Sequence, residues 1–240
     1  MNKQDLLNTY KHKIELHAHS FPASPCCDCS IERALEIYAE RQIEAICLTN
    51  HFYKDNRVFS GKTKNECIDV YLSDYERFKT LSKPYGIKIL LGCEIRFNEN
   101  ANDYLIYGVD KEILQQSFDY LEYDLKTYRD NVPLENSLLI QAHPFRDNMV
   151  LADANLVDGV ETLNFHNTHN NRNAACSMFA KENNISICTG GSDFHHDMKY
   201  HPTSCIMLSK TIPVDSFELA KILKSGDYIF LLGNNHIIIP

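Results

Sequence analysis

Two histidines near the start of the chain have a spacing that suits metal binding. His17 and His19 follow the short strand-like run IEL (residues 14–16), so both are expected on an extended segment. Side chains two residues apart on a strand share a face, so the two imidazoles could bind one ion while Ala18 points away. A partly exposed polar strand end is the alternative for this pair taken alone.

Further potential ligands end other apolar runs. Glu94 lies in the run 87–95, where a buried carboxylate must be paired, protonated or bound to metal. His143 precedes a proline, which disfavours helix at that position, and Asp193 and His195 repeat the i, i+2 spacing. A salt bridge, a satisfied core histidine and an Asx turn are the respective alternatives. Taken together, imidazoles and carboxylates suit first-row divalent ions.

Apolar runs and amphipathic segments alternate along the chain. Eight runs predict buried strands, at residues 14–16, 43–49, 87–95, 103–109, 137–142, 158–164, 185–190 and 203–209. Five segments have helical spacing, at residues 30–42, 66–83, 111–128, 171–184 and 214–226. This alternation predicts an α/β fold with a parallel sheet or barrel. Because the carboxyl ends of such strands open onto one face, the scattered ligands, including His51, are expected to converge there.

Composition limits the classes of function. The 240 residues include 24 Lys and Arg against 32 Asp and Glu, a formal charge of −8. Because nucleic acids and anionic membranes need a basic face, neither is expected as a partner. The first 16 residues contain no apolar h-region, so export is not expected, no apolar run reaches the ~20 residues that a membrane helix needs, and several cysteines lie in apolar runs. The sequence therefore predicts one cytoplasmic domain, residues 1–240, without a disulfide framework.

Five short motifs occur in an order that resembles the PHP (polymerase and histidinol phosphatase) family. They are LHAH (residues 16–19), TNH (49–51), GCE (92–94), AHP (142–144) and GSDFH (191–195). The segments HxHxxxxSPC, TNHFY, LIYGVDKE, AHPFR and VDGVETLN are similar to the bacterial histidinol-phosphatase-like branch. The resemblance covers residues 13–200. It implies a single PHP-type domain, a distorted (β/α)7 TIM-like barrel, with two or three divalent ions of zinc, manganese or iron.

The resemblance also implies which residues bind each ion. The three sets are His17, His19, Glu94 and Asp193 for one ion, Glu94, His143 and His169 for a second, and Asp28, His51 and His195 for a third. His169 is preferred to His166 because of its spacing from Glu161. Asp28 stands where the family often has His or Asp, and Cys27 is the alternative ligand at that place.

Asn50 departs from the family pattern, which usually has Asp before the histidine of the second motif. An Asp there could orient a ligand imidazole through its second ring nitrogen. Asn can accept the same hydrogen bond but carries no charge. Weaker binding of the third ion is therefore expected.

The activity that the resemblance implies is hydrolysis of a small phosphomonoester, first of all L-histidinol phosphate, by a metal-activated hydroxide. The candidate catalytic residues are Asp193, His195 and Arg146, and either of the first two or a metal-bound water could protonate the leaving oxygen. Arg146 is also the first candidate for a phosphate clamp, with Arg172 and His201 as weaker substrate contacts. The alternatives are an amidohydrolase-like C–N hydrolase and a catalytically idle metal-binding or regulatory module. The sequence predicts no oligomeric state.

Overall fold

A computed structural model describes residues 2–197, 204–233 and 236–240. Its strands are β1 (His12–Ala18), β2 (Ala45–Leu48), β3 (His51–Phe52), β4 (Lys88–Leu91), β5 (Cys93–Arg96), β6 (Asp103–Tyr107), β7 (Leu138–Gln141), β8 (Gly159–Asn164), β9 (Cys188–Gly191), β10 (Cys205–Ser209), β11 (Ile229–Leu232) and β12 (His236–Ile238). Its α-helices are α1 (Lys3–Thr9), α2 (Ile31–Glu40), α3 (Lys64–Leu81), α4 (Lys111–Phe118), α5 (Leu125–Asn131), α6 (Asn173–Glu182) and α7 (Ser216–Ser225).

The strands form two mixed six-stranded sheets. The first has the order β12-β11-β10-β1-β2-β4, in which β1, β2 and β4 are parallel. The second has the order β3-β5-β6-β7-β8-β9, in which β6 is antiparallel to both of its neighbours. The predicted α/β class is confirmed, but the described strands show two mixed sheets and no closed barrel. The expectation that all strands end on the same face is therefore wrong for β6.

The two sheets meet at the ends of β1 and β9. Gly191 lies so close to β1 that a Cβ atom there would be 2.5 Å from the Cβ atom of His17. The Glu15 carboxylate accepts hydrogen bonds from the backbone N–H of His17 (2.9 Å) and from the backbone and hydroxyl of Ser192 (3.1 and 2.6 Å). The backbone N–H of Asp193 then donates to the carbonyl of His17 at 2.8 Å. These contacts place the end of the second sheet directly against β1.

Gly92 marks the point where the chain passes from the first sheet to the second. The run 87–95 is expected to be one strand, but it is divided into β4, which pairs with β2, and β5, which pairs with β3 and β6. A Cβ atom at Gly92 would lie 2.7 Å from Sγ of Cys47, so the crossing leaves no room for a side chain. The segment from β2 to β3 makes the same crossing, and its register sets His51 beside Glu94.

Helix α2 illustrates how the apolar pattern produces this packing. Oγ of Ser30 accepts a hydrogen bond from the backbone N–H of Arg33 and so caps the helix. The buried residues of the helix recur at helical spacing: Ile31, Ala34, Leu35, Ile37 and Tyr38. They pack with Ile46 and Leu48 of β2 in one apolar cluster, so the helix covers a face of the first sheet.

One predicted helix is divided in two. The amphipathic segment 111–128 forms α4, which ends at Phe118, and α5, which begins at Leu125. Asp124 starts the second helix because its carboxylate accepts a hydrogen bond from the N–H of Thr127 at 2.6 Å. The periodicity of the segment predicts helix correctly but does not reveal the interruption.

Two further findings concern the chain as a whole. None of the helices that the structure describes has the length and apolar character needed to cross a membrane. All nine cysteines lie in the described ranges, and each is a free thiol.

Candidate metal centre

Seven of the nine predicted ligands come together where the two sheets meet. They are carried by His17 in β1, His19 directly after it, His51 in β3, Glu94 in β5, His143 after β7, and Asp193 and His195 after β9. All are buried except His51, which is half-buried. The junction of the sheets therefore gathers side chains from positions 17 to 195 into one site.

The Glu94 carboxylate lies at the middle of the site and is 1% exposed. Its Oε1 atom is 3.4 Å from Nε2 of His17 and 3.1 Å from Nε2 of His143. Its Oε2 atom is 3.4 Å from Nε2 of His19 and 2.8 Å from Nδ1 of His51. One carboxylate thus faces four imidazoles, two with each oxygen.

Asp193 approaches the same imidazoles from the other side. Its Oδ1 atom is 3.4 Å from Nε2 of both His17 and His19 and 3.3 Å from Nδ1 of His195. Its backbone has a φ of +54°, a left-handed conformation that is uncommon for residues other than glycine. Burial would raise the pKa of Asp193, but the charged histidines around it, His17 first, outweigh burial and hold that pKa well below its usual value.

Among the residues that the structure describes, four overlapping groups of side chains have ligand atoms within 4.8 Å of one another. These groups are His17, His19 and Glu94; His19, His51 and His195; His166, Asp193 and His195; and Glu94, Asp103 and His143. Each combines imidazole nitrogens, with or without carboxylate oxygens, as zinc, iron and manganese sites do. Because some residues belong to two groups, the groups lie next to one another, as they do in sites that hold several ions.

The hydrogen bonds around the site fit bound cations. Nδ1 of His17 is bonded to Oε1 of Glu161 and Nδ1 of His19 to Oγ of Ser24, both at 2.8 Å, so the two Nε2 atoms face each other 3.1 Å apart. Oε2 of Glu94 has no hydrogen-bond partner within the described ranges, although it is buried. A divalent ion would satisfy these converging lone pairs, and outer partners that fix each imidazole are typical of metal sites.

Charge also favours cations here. Burial alone would lower the pKa of His17, but nearby carboxylates, Glu161 first, outweigh burial and raise it well above its usual value. Burial would raise the pKa of Glu94, but the charges on His17 and His51 hold it well below its usual value. Burial and neighbouring imidazoles together lower the pKa of His19. The carboxylates therefore keep their negative charge in a buried site.

Asn50 orients a ligand imidazole indirectly. Its Oδ1 atom accepts a hydrogen bond from Oγ of Ser24 (2.9 Å), and Ser24 in turn bonds Nδ1 of His19. Its Nδ2 atom donates to Oδ2 of Asp74 at 2.9 Å. The buried Asp74 thus supplies, one residue further out, the negative charge that Asn50 lacks.

Asp28 does not lie where the resemblance implies. Its side chain is 71% exposed, and its Oδ1 atom is 3.0 Å from Nδ1 of His196. Cys26, two residues earlier, is also exposed, and the imidazoles of His195 and His51 are the groups that interact with its thiol. Partial burial of the sulfur would raise the pKa of Cys26, but contacts with these two histidines outweigh it and lower the pKa to about 6. Alignment of a loop to a motif fixes the position of a residue but not the direction of its side chain.

The loop after β8 presents His166 rather than His169 to the site. His169 is exposed, whereas His166 is buried in one group with Asp193 and His195. Burial, above all, lowers the pKa of His166 to about 3, so its nitrogens are free of an added proton near neutrality. The spacing argument that prefers His169 counts residues along a loop, and the loop turns between the two histidines.

The predicted substrate contacts are placed differently from one another. Nη2 of Arg146 is 2.6 Å from Oδ2 of Asp193, at the edge of the centre. Arg172 is 42% exposed and pairs with Asp147 at 2.5 Å, away from the ligands. His201 lies outside the described residues. Of the two arginines, Arg146 is the one in contact with a ligand residue.

Two residues that contact the predicted ligands are missing from the set predicted from sequence. Asp103 begins β6 and joins Glu94 and His143 in one ligand group, because an antiparallel strand brings its amino end to the site. Oε1 of Glu161 is hydrogen-bonded to the imidazole of His17, and Oε2 accepts a hydrogen bond from the backbone N–H of His143 at 3.0 Å. A buried acid inside the apolar run 158–164 is the signal that could have identified Glu161.

Comparison with solved structures shows which proteins share this fold. A two-domain protein from Bacteroides vulgatus, containing a predicted PHP-like metal-dependent phosphoesterase, matches 92% of this chain with a TM-score of 0.56 and 14% identity. An endonuclease Q complex with a 27-mer duplex substrate matches 95% with a TM-score of 0.58 and 11% identity. The lesion-specific endonuclease PfuEndoQ from Pyrococcus furiosus matches 89% with a TM-score of 0.53 and 12% identity.

These proteins are longer than the present chain. The match spans 65% of the Bacteroides vulgatus chain, 58% of the endonuclease Q chain and 56% of PfuEndoQ. At these identities the likeness establishes the fold. No curated protein sequence matches the chain.

The prediction that nucleic acid is not a partner is wrong. It depends on the formal charge of −8, yet endonuclease Q, which shares the fold, is seen with a DNA duplex that has an abasic lesion at the active site. Net charge describes a whole chain, whereas a nucleic-acid groove depends on local charge. An acidic composition therefore gives no ground for excluding nucleic acid.

The PHP domain family model matches residues 15–183, more than two thirds of the chain. The matched segment begins in β1 and extends to the end of α6. It contains the first four of the five ordered motifs, and the fifth follows in the next strand. This chain belongs to the PHP domain family.

Proposed function

We propose that this protein is a metal-dependent phosphoesterase that hydrolyses a small phosphomonoester, with L-histidinol phosphate as the first candidate. The position of Glu94 is the observation that carries the proposal. Both of its oxygens face imidazoles, and it belongs to two of the overlapping ligand groups. A carboxylate so placed can bridge two ions, and such paired sites stabilise attacking and leaving oxygens in phosphoryl transfer.

The ligand groups suggest where ions would bind. The proposed sets are His17, His19, Glu94 and Asp193 for one ion, Glu94, Asp103 and His143 for a second, and His51 and His195 for a third. His166 would complete a set through its contact group with Asp193 and His195. When bound, divalent ions in such sites stabilise phosphoryl charge and activate water.

Arg146 is the proposed phosphate contact. Its Nε and Nη2 atoms bond Asn171, Asn164 and Asp193, whereas its Nη1 atom makes no hydrogen bond to the part of the chain that the structure describes. One edge of the guanidinium is thus fixed beside the ligands, and the other can donate to a phosphate oxygen. Of the two candidate donors of the proton that the leaving oxygen takes up, His195 is the one proposed, because the Asp193 carboxylate is held in its ionised form with a pKa well below its usual value.

The choice of substrate is supported by sequence motifs. TNHFY and AHPFR are similar to the histidinol-phosphatase-like branch, and the proposal treats residues 1–240 as one PHP-type domain. The shared fold with endonuclease Q brings DNA phosphodiesters into the same test. Loops rather than the metal ligands distinguish these substrates.

The test measures product release by metal-free protein that has been reloaded with Mn²⁺, Zn²⁺ or Fe²⁺. Substrates are histidinol phosphate, sugar phosphates, nucleoside monophosphates, p-nitrophenyl phosphate and a duplex with an abasic site. Asp193→Asn removes a ligand charge at nearly constant size. Asp69→Asn, on the exposed face of α3, is the matched control.

We expect one phosphomonoester to be hydrolysed preferentially, with turnover lost in Asp193→Asn and kept in Asp69→Asn. Cleavage of the duplex alone would replace monoesterase with nuclease activity. Metal-loaded protein that hydrolyses no ester would contradict the proposal. C–N hydrolysis and a metal-binding module without turnover would then be the readings to examine.

A further inference from the structure

We propose that Arg96 binds a second negatively charged group of the substrate, carried by the leaving group of the ester. This inference rests on the proposed phosphoesterase activity and names the class of substrate within it. That class is phosphomonoesters whose leaving group bears a carboxylate or a second phosphate. The position of Arg96 relative to the ligands, and the hydrogen bonds of its guanidinium, support the assignment.

The strand register places Arg96 beside the ligands. Arg96 follows Glu94 by two residues in β5, so the two side chains share a face of the sheet. Strand β3 sets His51 next to Glu94, and β6 sets Asp103 opposite Arg96. Because two residues of a strand span about 7 Å, Arg96 lies one step along the strand from the row of ligands.

Exposure increases along this strand toward solvent. The side chain of Glu94 is 1% exposed, whereas that of Arg96 is 37% exposed. A phosphoryl group bound at Glu94 would be enclosed, and the leaving group attached to it would have to extend toward solvent. Arg96 is therefore in a position to contact the leaving group rather than the phosphoryl group.

The guanidinium of Arg96 is held on two sides. Its Nε and Nη2 atoms donate to the two oxygens of Asp103 at 2.7 and 2.8 Å. Its Cζ atom is 5.1 Å from the centre of the Tyr53 ring, which in turn lies 5.6 Å from the ring of His51. Its Nη1 atom makes no hydrogen bond to a residue in the described ranges. The group is thus fixed in orientation and keeps one edge that can donate to an anion.

An ordinary ion pair between neighbouring strands is the alternative for Arg96 and Asp103. Two observations favour a contact with substrate. Arg146 has the same arrangement, since its Nη2 atom bonds an acid of the ligand groups and its Nη1 atom makes no hydrogen bond to a described residue. Asp103 also belongs to the ligand group of Glu94 and His143, so a bound ion would share its carboxylate. Arg96 would then keep part of its positive charge for another anion.

The charge at this position selects among phosphomonoesters. Carboxylates and phosphates accept charge-assisted hydrogen bonds from a guanidinium, whereas an ammonium group is repelled by it. The sequence motifs favour histidinol phosphate, whose amino group is cationic near neutral pH. Arg96 instead favours an ester with an anionic leaving group, so the two arguments predict opposite rankings of these substrates.

Binding of phosphonates, which the protein cannot hydrolyse, tests the inference without any assay of activity. Calorimetry on Mn²⁺-loaded protein compares benzylphosphonates that carry a carboxylate, a carboxamide, an aminomethyl group or a second phosphonate at the para position. The carboxamide matches the carboxylate in shape but lacks its charge. The variants are Arg96→Gln and, as a matched control, Arg129→Gln. Arg129 makes a similar pair of hydrogen bonds with Asp158, next to the start of β8.

We expect the wild type and Arg129→Gln to bind the carboxylate about 10- to 100-fold more tightly than the carboxamide, the usual effect of a hydrogen bond to a charged group. The aminomethyl compound should bind most weakly. Arg96→Gln should lose the preference for the carboxylate and bind the carboxamide as the wild type does. Tighter binding of the second phosphonate than of the carboxylate would indicate a bisphosphorylated substrate, and the reverse order a carboxylated one.

Three results would overturn the inference. They are equal affinities for carboxylate and carboxamide in the wild type, a preference that survives in Arg96→Gln, and an Arg96→Gln protein that binds both compounds equally more weakly, as loss of a structural ion pair would cause. Each of these leaves the phosphoesterase proposal intact, because that proposal fails only if no ester is hydrolysed. A wild type that binds none of the phosphonates would overturn the anion contact as well.

Discussion

At the scale of single residues, Asp74 can show whether the hydrogen bonds behind His19 only support the structure or also strengthen metal binding. It is linked to His19 through Asn50 and Ser24, and no other step is needed. A carboxylate behind a ligand imidazole raises the basicity of the nitrogen that faces the ion. The charge on Asp74 should therefore increase the affinity for metal, although the residue lies outside the ligand set.

Asp74→Asn should weaken metal binding by about 10- to 100-fold, the usual effect of losing an outer carboxylate partner. Competition with a chromophoric chelator measures the affinity. The double variant Asn50→Asp with Asp74→Asn returns the charge one residue closer to His19 and should recover the affinity. If Asp74→Asn binds metal as tightly as the wild type, the chain of hydrogen bonds only holds the loop in place.

The two histidines of the loop after β8 provide a matched pair. His166→Ala should lower metal affinity by at least about 10-fold, because His166 is grouped with Asp193 and His195. His169→Ala should leave the affinity unchanged, because His169 is exposed. Metal content after gel filtration compares the two. The opposite ranking would restore the assignment that the spacing favours.

Residue types and order predict most of the gathered side chains, and local geometry explains the exceptions. His17, His19 and Glu94 sit in or directly after strands, where burial and alternation constrain direction. Asp28 lies in a loop, whose side chains can turn either way. Asp103 is at the amino end of a strand, and sequence alone gives no sign that the strand runs antiparallel. The position of Asp103 therefore depends on the direction of its strand in the fold, which the residue type does not reveal.

At the scale of elements, the position of Glu94 depends on the crossing at Gly92. A methyl group there would lie 2.7 Å from Sγ of Cys47 and 3.3 Å from the carbonyl of Ile106. Neighbouring strands of both sheets would have to move apart to admit it. Glu94, two residues later, would move with β5.

Gly92→Ala should therefore lower the free energy of unfolding by about 1–3 kcal/mol, as overpacking typically does, and weaken metal binding. Denaturant unfolding and a metal titration measure the two effects. Adding Cys47→Ala removes the nearest clash and should recover part of the stability. A Gly92→Ala protein as stable as the wild type would show that the sheets separate without cost.

The elements themselves are largely predicted by periodicity, but their partners are not. Apolar runs locate strands because residues buried on both faces must be apolar. The run 87–95 gives no hint of its division, since both halves are equally buried. The alternation of strands and helices predicts a barrel of parallel strands. Strand β6 departs from that pattern because it is antiparallel to both of its neighbours.

At the scale of the whole molecule, the candidate ions would join the two sheets. The ligand sets take residues from β1 in the first sheet and from β3, β5 and the ends of β7 and β9 in the second. An ion bound in the folded state but not in the unfolded chain stabilises the fold by mass action. Stability should therefore depend on metal more strongly than in a protein whose site lies within one element.

At a free ion concentration 100 times Kd the stabilisation should be about 2.7 kcal/mol, or roughly 5–11 °C in the unfolding temperature for a chain of this size. Calorimetry with and without a chelator measures the shift. Glu94→Gln, which lacks the central charge, should show little of it, and the exposed Glu182→Gln should match the wild type. Equal unfolding temperatures with and without metal would place the ions outside the junction.

The contact between the ends of β1 and β9 also has a consequence for the synthesis of the protein. Glu15 and Ser192, which bond across it, are 177 residues apart. A ribosome exposes His17 and His19 early, but the Asp193 carboxylate that faces them is made only after most of the chain has been translated. Until then the nascent chain carries an incomplete set of ligands for the centre. Loading of the complete centre must follow translation of residue 195.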